Sequence, residues 1–227
     1  MQCSRLYLSL RLTLSFVYDT ILPMIEPLLI FLSVALFGIV HSWLASYRAK
    51  LIAQNALGPD LASTIYRAIF NVLAVLSLAP SLYLVVALPD RELYRFPEPL
   101  NFIALLIQGL AALGVIYAVY QLDVWFFAGV RQLLDRKTKA IDSTSTAHLV
   151  TNGLHRYVRH PLYTMSLIFL YFSTPMTLNR LILIVGFTLY FYLGSIFEER
   201  KLVREFGDAY RQYQRDVPRL IPRLKFR

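Results

Sequence analysis

Charge is scarce in this chain. Only 16% of its 227 residues are Asp, Glu, Lys or Arg, whereas soluble domains carry about 25%. Intrinsic disorder requires low hydrophobicity, and 57% hydrophobic residues exclude it. The same shortage argues against an ordinary soluble globule, because too little polar surface is available to cover the core. Cysteine is nearly absent. The single one, Cys3, excludes an intramolecular disulfide and has no cysteine partner for a metal site. No small-residue lipobox precedes it. The four histidines, His41, His148, His155 and His160, lack a metalloenzyme spacing, so no metal is expected. No internal repeat or low-complexity run occurs. The formal charge of +9 is accompanied by no nucleic-acid recognition motif, so no nucleic-acid partner is expected and membrane topology explains the basic balance better.

What the chain does have is apolar length. A bilayer-spanning helix needs roughly 20 apolar residues, and five stretches qualify: 24–44, 65–88, 100–127, 161–178 and 181–197. The expectation is an all-α polytopic membrane bundle of about five transmembrane helices, followed by a C-terminal amphipathic interfacial helix. Residues 1–23 are read as an N-terminal interfacial or extension segment. Within it, 6–22 is apolar but carries Arg11 and Asp19, and a sixth span is the competing reading. Residues 24–227 then form one membrane domain, with a three-helix part over 24–127 and a second part over 146–227. The stretch 175–180 predicts a tight antiparallel hairpin between the last two spans, and 135–145 predicts a mobile loop.

Basic residues mark the cytoplasmic side of membrane proteins. With five spans, the loops 46–64 and 128–160, the tail after Phe197 and Arg67 hold 18 of the 23 Lys and Arg residues. This asymmetry predicts a cytoplasmic C-terminus in an integral membrane protein, with a bacterial inner membrane as the expected location. Polar groups at membrane depth are functional candidates by default, and here they gather at one end. His41 and Ser42 end the first span, Tyr66, Arg67 and Asn71 open the second, and Gln121 and Asp123 lie late in the third. Arg159 and His160 open the fourth, and Glu198 and Glu199 close the fifth. A polar pocket with an apolar floor, facing the cytoplasm, follows. A merely solvated helix end is the plainer alternative for each residue taken singly.

The sharpest local signal runs from Gly153 to Tyr163. Pro161 suits the first position of a helix, where its missing N–H costs nothing. His160 then falls near the N-cap and Tyr163 on the first turn. Free N–H groups at such a helix mouth favour an anion, and Arg156 and Arg159 add positive charge. Glu198 and Glu199 point about 100° apart on a helix, so one faces the pocket while the other faces water or a basic partner. Between 201 and 222, Leu202, Phe206, Ala209, Tyr213, Val217 and Leu220 recur at helical spacing among basic residues, predicting a helix on the membrane face that lids the pocket.

The ordered set His148-Leu149-Val150-Thr151, Gly153, Arg159-His160-Pro161-Leu162-Tyr163, Glu198-Glu199, Phe206-Gly207, Tyr210, Tyr213 and Val217-Pro218 resembles the isoprenylcysteine carboxyl methyltransferase-type membrane methyltransferases. Upstream, His41-Ser42, Ala45 and Lys50, then Asp123 and the run from Phe127 to Gln132, resemble the branch related to methanethiol S-methyltransferases. Phe197-Glu198-Glu199-Arg200 and the run from Ser173 to Thr177 strengthen that branch. The first half also resembles NnrU-type membrane proteins. The resemblance implies S-adenosylmethionine as cofactor, held by the last two helices and the loop before them. It places His160, Tyr163, Arg159 and Glu198 or Glu199 against the cofactor, with Leu149, Val150, Gly153 and Tyr157 lining the adenosine and methionine part. The implied reaction is methyl transfer to a small or lipophilic thiol, with Arg67 or Arg131 stabilising a thiolate and His41 accepting its proton. Tyr157 or Tyr163 would present an aromatic face to the sulfonium. A prenylcysteine carboxylate, an amine phospholipid, or a non-catalytic accessory role are the alternatives; membrane lipid is the expected surrounding partner. Three departures from the family pattern stand out: His155 where a Tyr is common, Met165 where a small Gly is common, and Asp216 where a basic residue is common.

Overall fold

A computed structural model describes residues 22–121, 124–134 and 149–223. Cys3, the 6–22 segment up to residue 21, Asp123, the 135–145 loop and His148 lie outside the described residues. Nine α-helices occur among the described residues: α1 Leu22–Ala45, α2 Tyr47–Leu57, α3 Pro59–Ala87, α4 Leu100–Gln121, α5 Val124–Ala128, α6 Val130–Leu134, α7 Pro161–Tyr171, α8 Leu178–Phe206 and α9 Asp208–Asp216. Two short strands, β1 Glu92–Tyr94 and β2 Met176–Thr177, and a 3-10 turn at Gly153–Arg156 complete the set.

Four of these helices are long and apolar enough to cross a membrane: Ile25–Ala45 within α1, then α3, α4 and α8. The expected five is corrected to four plus one short helix. At 1.5 Å per residue, the 11 residues of α7 reach only about 16 Å, about half of a hydrocarbon core. The remainder of the apolar 161–178 run leaves the helix after Tyr171, because Met176 and Thr177 are drawn into an antiparallel pair with β1, Glu92 opposite Thr177. That pair also adds a strand element to the expected all-α bundle. The expected loop 46–64 is largely helical, forming α2 and the start of α3; Ser46 caps α2 by accepting from the Ala49 N–H.

The bundle is an inverted globule. Its outer faces carry Val86, Phe102, Ile116 and Leu110, all strongly exposed, as a chain solvated by hydrocarbon requires rather than one solvated by water. Inside, Ile30, Val34 and Phe37 of α1 recur at helical spacing and pack on Leu183 and Phe187 of α8. α4 buries three alanines spaced by seven, Ala104, Ala111 and Ala118, and small residues of this kind let helix backbones approach in a membrane. α7 lies antiparallel along this helix: Gln108 donates to the Phe169 carbonyl, and Met165 sits where any Cβ on Gly114 would fall 2.7 Å from its sulfur. The unusually large Met165 is therefore accommodated by a glycine on the opposite helix.

At the strand end, Asn179 ties α8 to the end of α3. Its side chain donates to the Leu88 and Pro89 carbonyls, and its backbone N–H donates to Asp90. At the other end the expected continuous helix over 201–222 does not form. α8 runs on to Phe206, the chain turns at Gly207, and α9 occupies Asp208–Asp216, with Tyr210 and Tyr213 buried. The segment after α9 then returns to α7: the Arg159 and His160 N–H groups donate to the Pro218 and Arg219 carbonyls.

Candidate functional site

The continuation of α8 places Glu198 and Glu199 two turns inside the helix rather than at its end. They sit about 30 Å from the Leu178 end of α8, one residue rise at a time, and therefore at the opposite membrane boundary from the strand pair. α7 begins beside them. His160 is its N-cap and Pro161 its first residue, as the sequence pattern requires. His160 Nε2 lies 3.2 Å from Glu199 Oε1, and Nδ1 lies 3.4 Å from Glu198 Oε2. An imidazole with a carboxylate at each nitrogen satisfies both only as the doubly protonated cation. Burial opposes that charge, but the hydrogen bonds to Glu198 and Glu199 outweigh it and hold His160 above its ordinary value.

The two glutamates have different work. The Glu199 side chain is 3% exposed and that of Glu198 is 48% exposed. Glu199 receives Arg159 at 2.8 Å, Arg219 at 3.1 Å and Gln214 at 2.9 Å besides His160. Among the described residues, Glu198 receives only His160 and the Tyr163 hydroxyl, the latter at 3.0 Å. The Tyr163 ring is stacked between His160, at 5.3 Å and 1°, and Phe191, at 4.8 Å and 12°. This stack fixes the hydroxyl against Glu198 and leaves the rest of that carboxylate open.

Arg159 is sequestered. Its guanidinium donates to Glu199 and to the Gln214 and Val217 carbonyls. The α7 mouth, which the sequence marks as an anion site, is thus filled by Glu199 and by the returning tail. Tyr213 strengthens the closure by donating to the His155 carbonyl at 2.6 Å; burial pushes its phenol up to about 12, so it stays a donor.

A cleft of about 780 Å³ opens beside the 3-10 turn, lined by Tyr117, Gln121 and Trp125 on one side and Leu149, Val150 and Asn152 on the other. Its size falls within the range of small-molecule sites. Gly153 is the hinge of its wall. At φ +55° it takes the left-handed region, and a Cβ there would fall 2.1 Å from Gln121 Nε2 and 3.1 Å from the Tyr117 hydroxyl. Gln121 Oε1 and His155 Nδ1 are buried without a hydrogen-bond partner among the described residues. Burial, then the His160 charge, holds His155 below its ordinary value. Tyr157 is strongly exposed.

The residues expected to handle the acceptor lie on other helices. His41 Nδ1 is 2.7 Å from the Tyr190 hydroxyl, and its ring packs on Phe37 and Phe70. Arg67 extends over Phe70, 5.9 Å from the ring centre. Arg131 is exposed on α6, a helix packed against α3. Gln121 is among the polar groups that the sequence gathers at the pocket end, whereas Tyr190 and Gln214 are not marked by it. Tyr190 reads as one more aromatic in an apolar run, and Gln214 becomes visible only through its partner Glu199.

The family described as "Protein of unknown function (DUF1295)" matches residues 33–217, a range that includes every residue of this constellation except Arg219. The chain belongs to that family. Its relatives include the methanethiol S-methyltransferase of Pseudomonas deceptionensis, 34% identical over 49% of this chain and 42% of that protein. A second is methanethiol S-methyltransferase 2 of Bradyrhizobium diazoefficiens, 41% identical over 31% of this chain and 27% of that protein. The protein-S-isoprenylcysteine O-methyltransferase of Schizosaccharomyces pombe is 32% identical over 48% and 52%. The chain thus spans about half or less of the length of these relatives. No solved structure matches it.

Proposed function

We propose that this protein is an integral membrane methyltransferase that uses S-adenosylmethionine and methylates a small thiol at the cytoplasmic face of a bacterial membrane. The half-open Glu198, held between His160 and Tyr163, carries this reading. Its support comes from the names of the DUF1295 relatives and from the fit of the residues present.

The fit is chemical. S-adenosylmethionine is a cation rich in donors: an ammonium, two ribose hydroxyls and an adenine amine. The cleft offers one complement in Gln121 Oε1, unmatched among the described residues, and the available half of Glu198 offers another. Leu149, Val150 and Gly153 would line the nucleoside, Tyr163 and Glu198 would hold the charged end, and His160 would fix Glu198 in place. When bound, the cofactor supplies an electrophilic methyl group on a sulfonium. The protein's part is positioning, and orientation of this kind contributes about 7–11 kcal/mol to such transfers. Tyr190 holds the His41 ring, which would receive the proton of a thiol, and Arg67 would stabilise the thiolate. A thiol's ordinary pKa of roughly 8.5 makes that proton worth removing.

Saturable binding of S-adenosylmethionine to purified protein in detergent is expected. Labelled cofactor offered with methanethiol, a prenylcysteine analogue or phosphatidylethanolamine then distinguishes acceptors, with headspace dimethyl sulfide marking the thiol. Folded protein without saturable binding would overturn the proposal.

A further inference from the structure

A second cavity of about 430 Å³ lies between α8 and the returning tail, lined by Ile196, Glu199, Arg200, Val203, Arg204, Gln214 and Arg219. Three of these side chains are arginines. The one carboxylate is already engaged by Arg159, His160, Gln214 and Arg219, so the open lining is positive. One turn and two turns nearer the membrane centre, the same side of α8 turns Tyr192, Leu193 and Phe197 outward, each at least half exposed. The arginines lean over these rings: Arg200 is 5.6 Å from the Phe197 centroid and Arg219 is 5.7 Å from that of Tyr192. Cationic heads above outward apolar side chains at a membrane boundary match a molecule with a phosphate above and acyl chains below.

We propose that this cavity is a binding site for an anionic phospholipid, its phosphate held by Arg200, Arg204 and Arg219 and its chains laid along Tyr192, Leu193 and Phe197. Arginine suits the role because its planar fork donates two parallel hydrogen bonds to phosphate oxygens. The site is physically joined to the clamp, since Arg219 donates to Glu199 at 3.1 Å from one wall of the cavity. Lipid bound there holds the returning tail in place. The inference is independent of the methyl-transfer reading, because Arg200, Arg204 and Arg219 are not among the residues proposed to hold the cofactor.

The test uses full-length protein in nanodiscs and native mass spectrometry. Wild-type protein released from discs of equal phosphatidylglycerol and phosphatidylcholine is expected to retain phosphatidylglycerol selectively. The double variant Arg200→Gln with Arg204→Gln is expected to lose that selectivity by roughly tenfold, in keeping with the headgroup attraction of two arginines. The charge-retaining Arg200→Lys with Arg204→Lys controls for folding and is expected to keep most of it. In a parallel arm, millimolar inorganic phosphate is expected to leave phosphatidylglycerol in place. Equal retention of the two lipids, selectivity that survives in the glutamine variant, or displacement by phosphate alone would each overturn the proposal.

Discussion

Glu198 and Glu199 are neighbours in sequence and opposites in environment: Glu199 is sealed among four donors, whereas Glu198 keeps nearly half its side chain exposed. A helix places successive side chains about 100° apart, and here that rotation separates a buried, fully engaged carboxylate from a half-exposed one. Substitution with the isosteric amide distinguishes them. Glu199→Gln leaves Arg159 and Arg219 without their counter-charge and is expected to destabilise the protein by about 3–5 kcal/mol, as the breaking of buried pairs does. Glu198→Gln is expected to leave the thermal midpoint nearly unchanged and to weaken S-adenosylmethionine binding by about tenfold, the loss of one charged hydrogen bond. Melting curves and titration calorimetry on both variants check this. Equal destabilisation by the two would contradict the division.

His160 makes stability depend on pH. Its folded-state pKa lies above the unfolded one, because the hydrogen bonds to Glu198 and Glu199 outweigh burial. The sign follows: the stabilisation is fully present below about pH 6.5, the ordinary histidine value, and is lost as pH rises through the raised folded value. The groups facing the ring are Glu198 and Glu199 of α8, Tyr163 of α7, Arg159 and His155. In the window from about pH 6.5 to 9, free carboxylates and arginines do not titrate, and His155 is already held low. The melting temperature of wild-type protein is therefore expected to fall across this window, and that of His160→Asn to stay flatter. Parallel slopes would refute the assignment.

Much of this architecture is legible in the sequence, and the failures have physical causes. The first three spans follow from apolar length alone, which depends on the bilayer and not on tertiary partners. His160 as N-cap follows from Pro161. The extent of α8 does not, because Glu198 to Arg204 reads as a polar terminus, and only tertiary partners such as Arg159 and Arg219 make a buried carboxylate tolerable mid-helix. The shortness of α7 is hidden because its truncation depends on β1, more than 80 residues away in sequence. Arg159 and His160 look alike as donors at a helix mouth. The tail that occupies Arg159 becomes adjacent only after Gly207 turns the chain back.

Gly153 is the residue on which the cleft wall turns. Alanine there is strained at φ +55° and drives its Cβ into Gln121; left-handed backbone alone costs about 1–2 kcal/mol. Gly153→Ala is expected to displace Gln121 and to weaken S-adenosylmethionine binding at least about tenfold. The buried Ile30–Phe187 core is remote, so helical content by circular dichroism is expected to hold. Unchanged affinity would remove Gln121 and Gly153 from the cofactor site.

Met165 and Gly114 form a compensating pair, and a double-mutant cycle measures it. Gly114→Ala overpacks the α4–α7 contact and is expected to cost about 1–3 kcal/mol. Met165→Ala opens a void and is expected to cost about 2–5 kcal/mol. Together the added methyl fills part of the vacated space, so the double variant is expected to be more stable than the sum by about 1 kcal/mol. Strict additivity would mean that the two side chains do not meet.

Tyr190 offers the sharpest separation of binding from turnover. Its hydroxyl reaches His41 at 2.7 Å from a different helix, and its ring is packed against Phe37, Phe187 and Phe191, so removing the hydroxyl alone leaves the packing intact. Tyr190→Phe frees the His41 ring to rotate and deprives it of its partner. If His41 receives the acceptor's proton, the variant loses turnover, by about ten- to a hundredfold for a misplaced general base, while the dissociation constant for S-adenosylmethionine stays that of the parent. The loss is expected to shrink as pH rises towards the thiol's own ionisation, since a preformed thiolate has no proton to give up. A deficit that is the same at every pH, or one carried by weaker cofactor binding, would assign Tyr190 and His41 to the architecture of α1 and α8 instead of to the reaction.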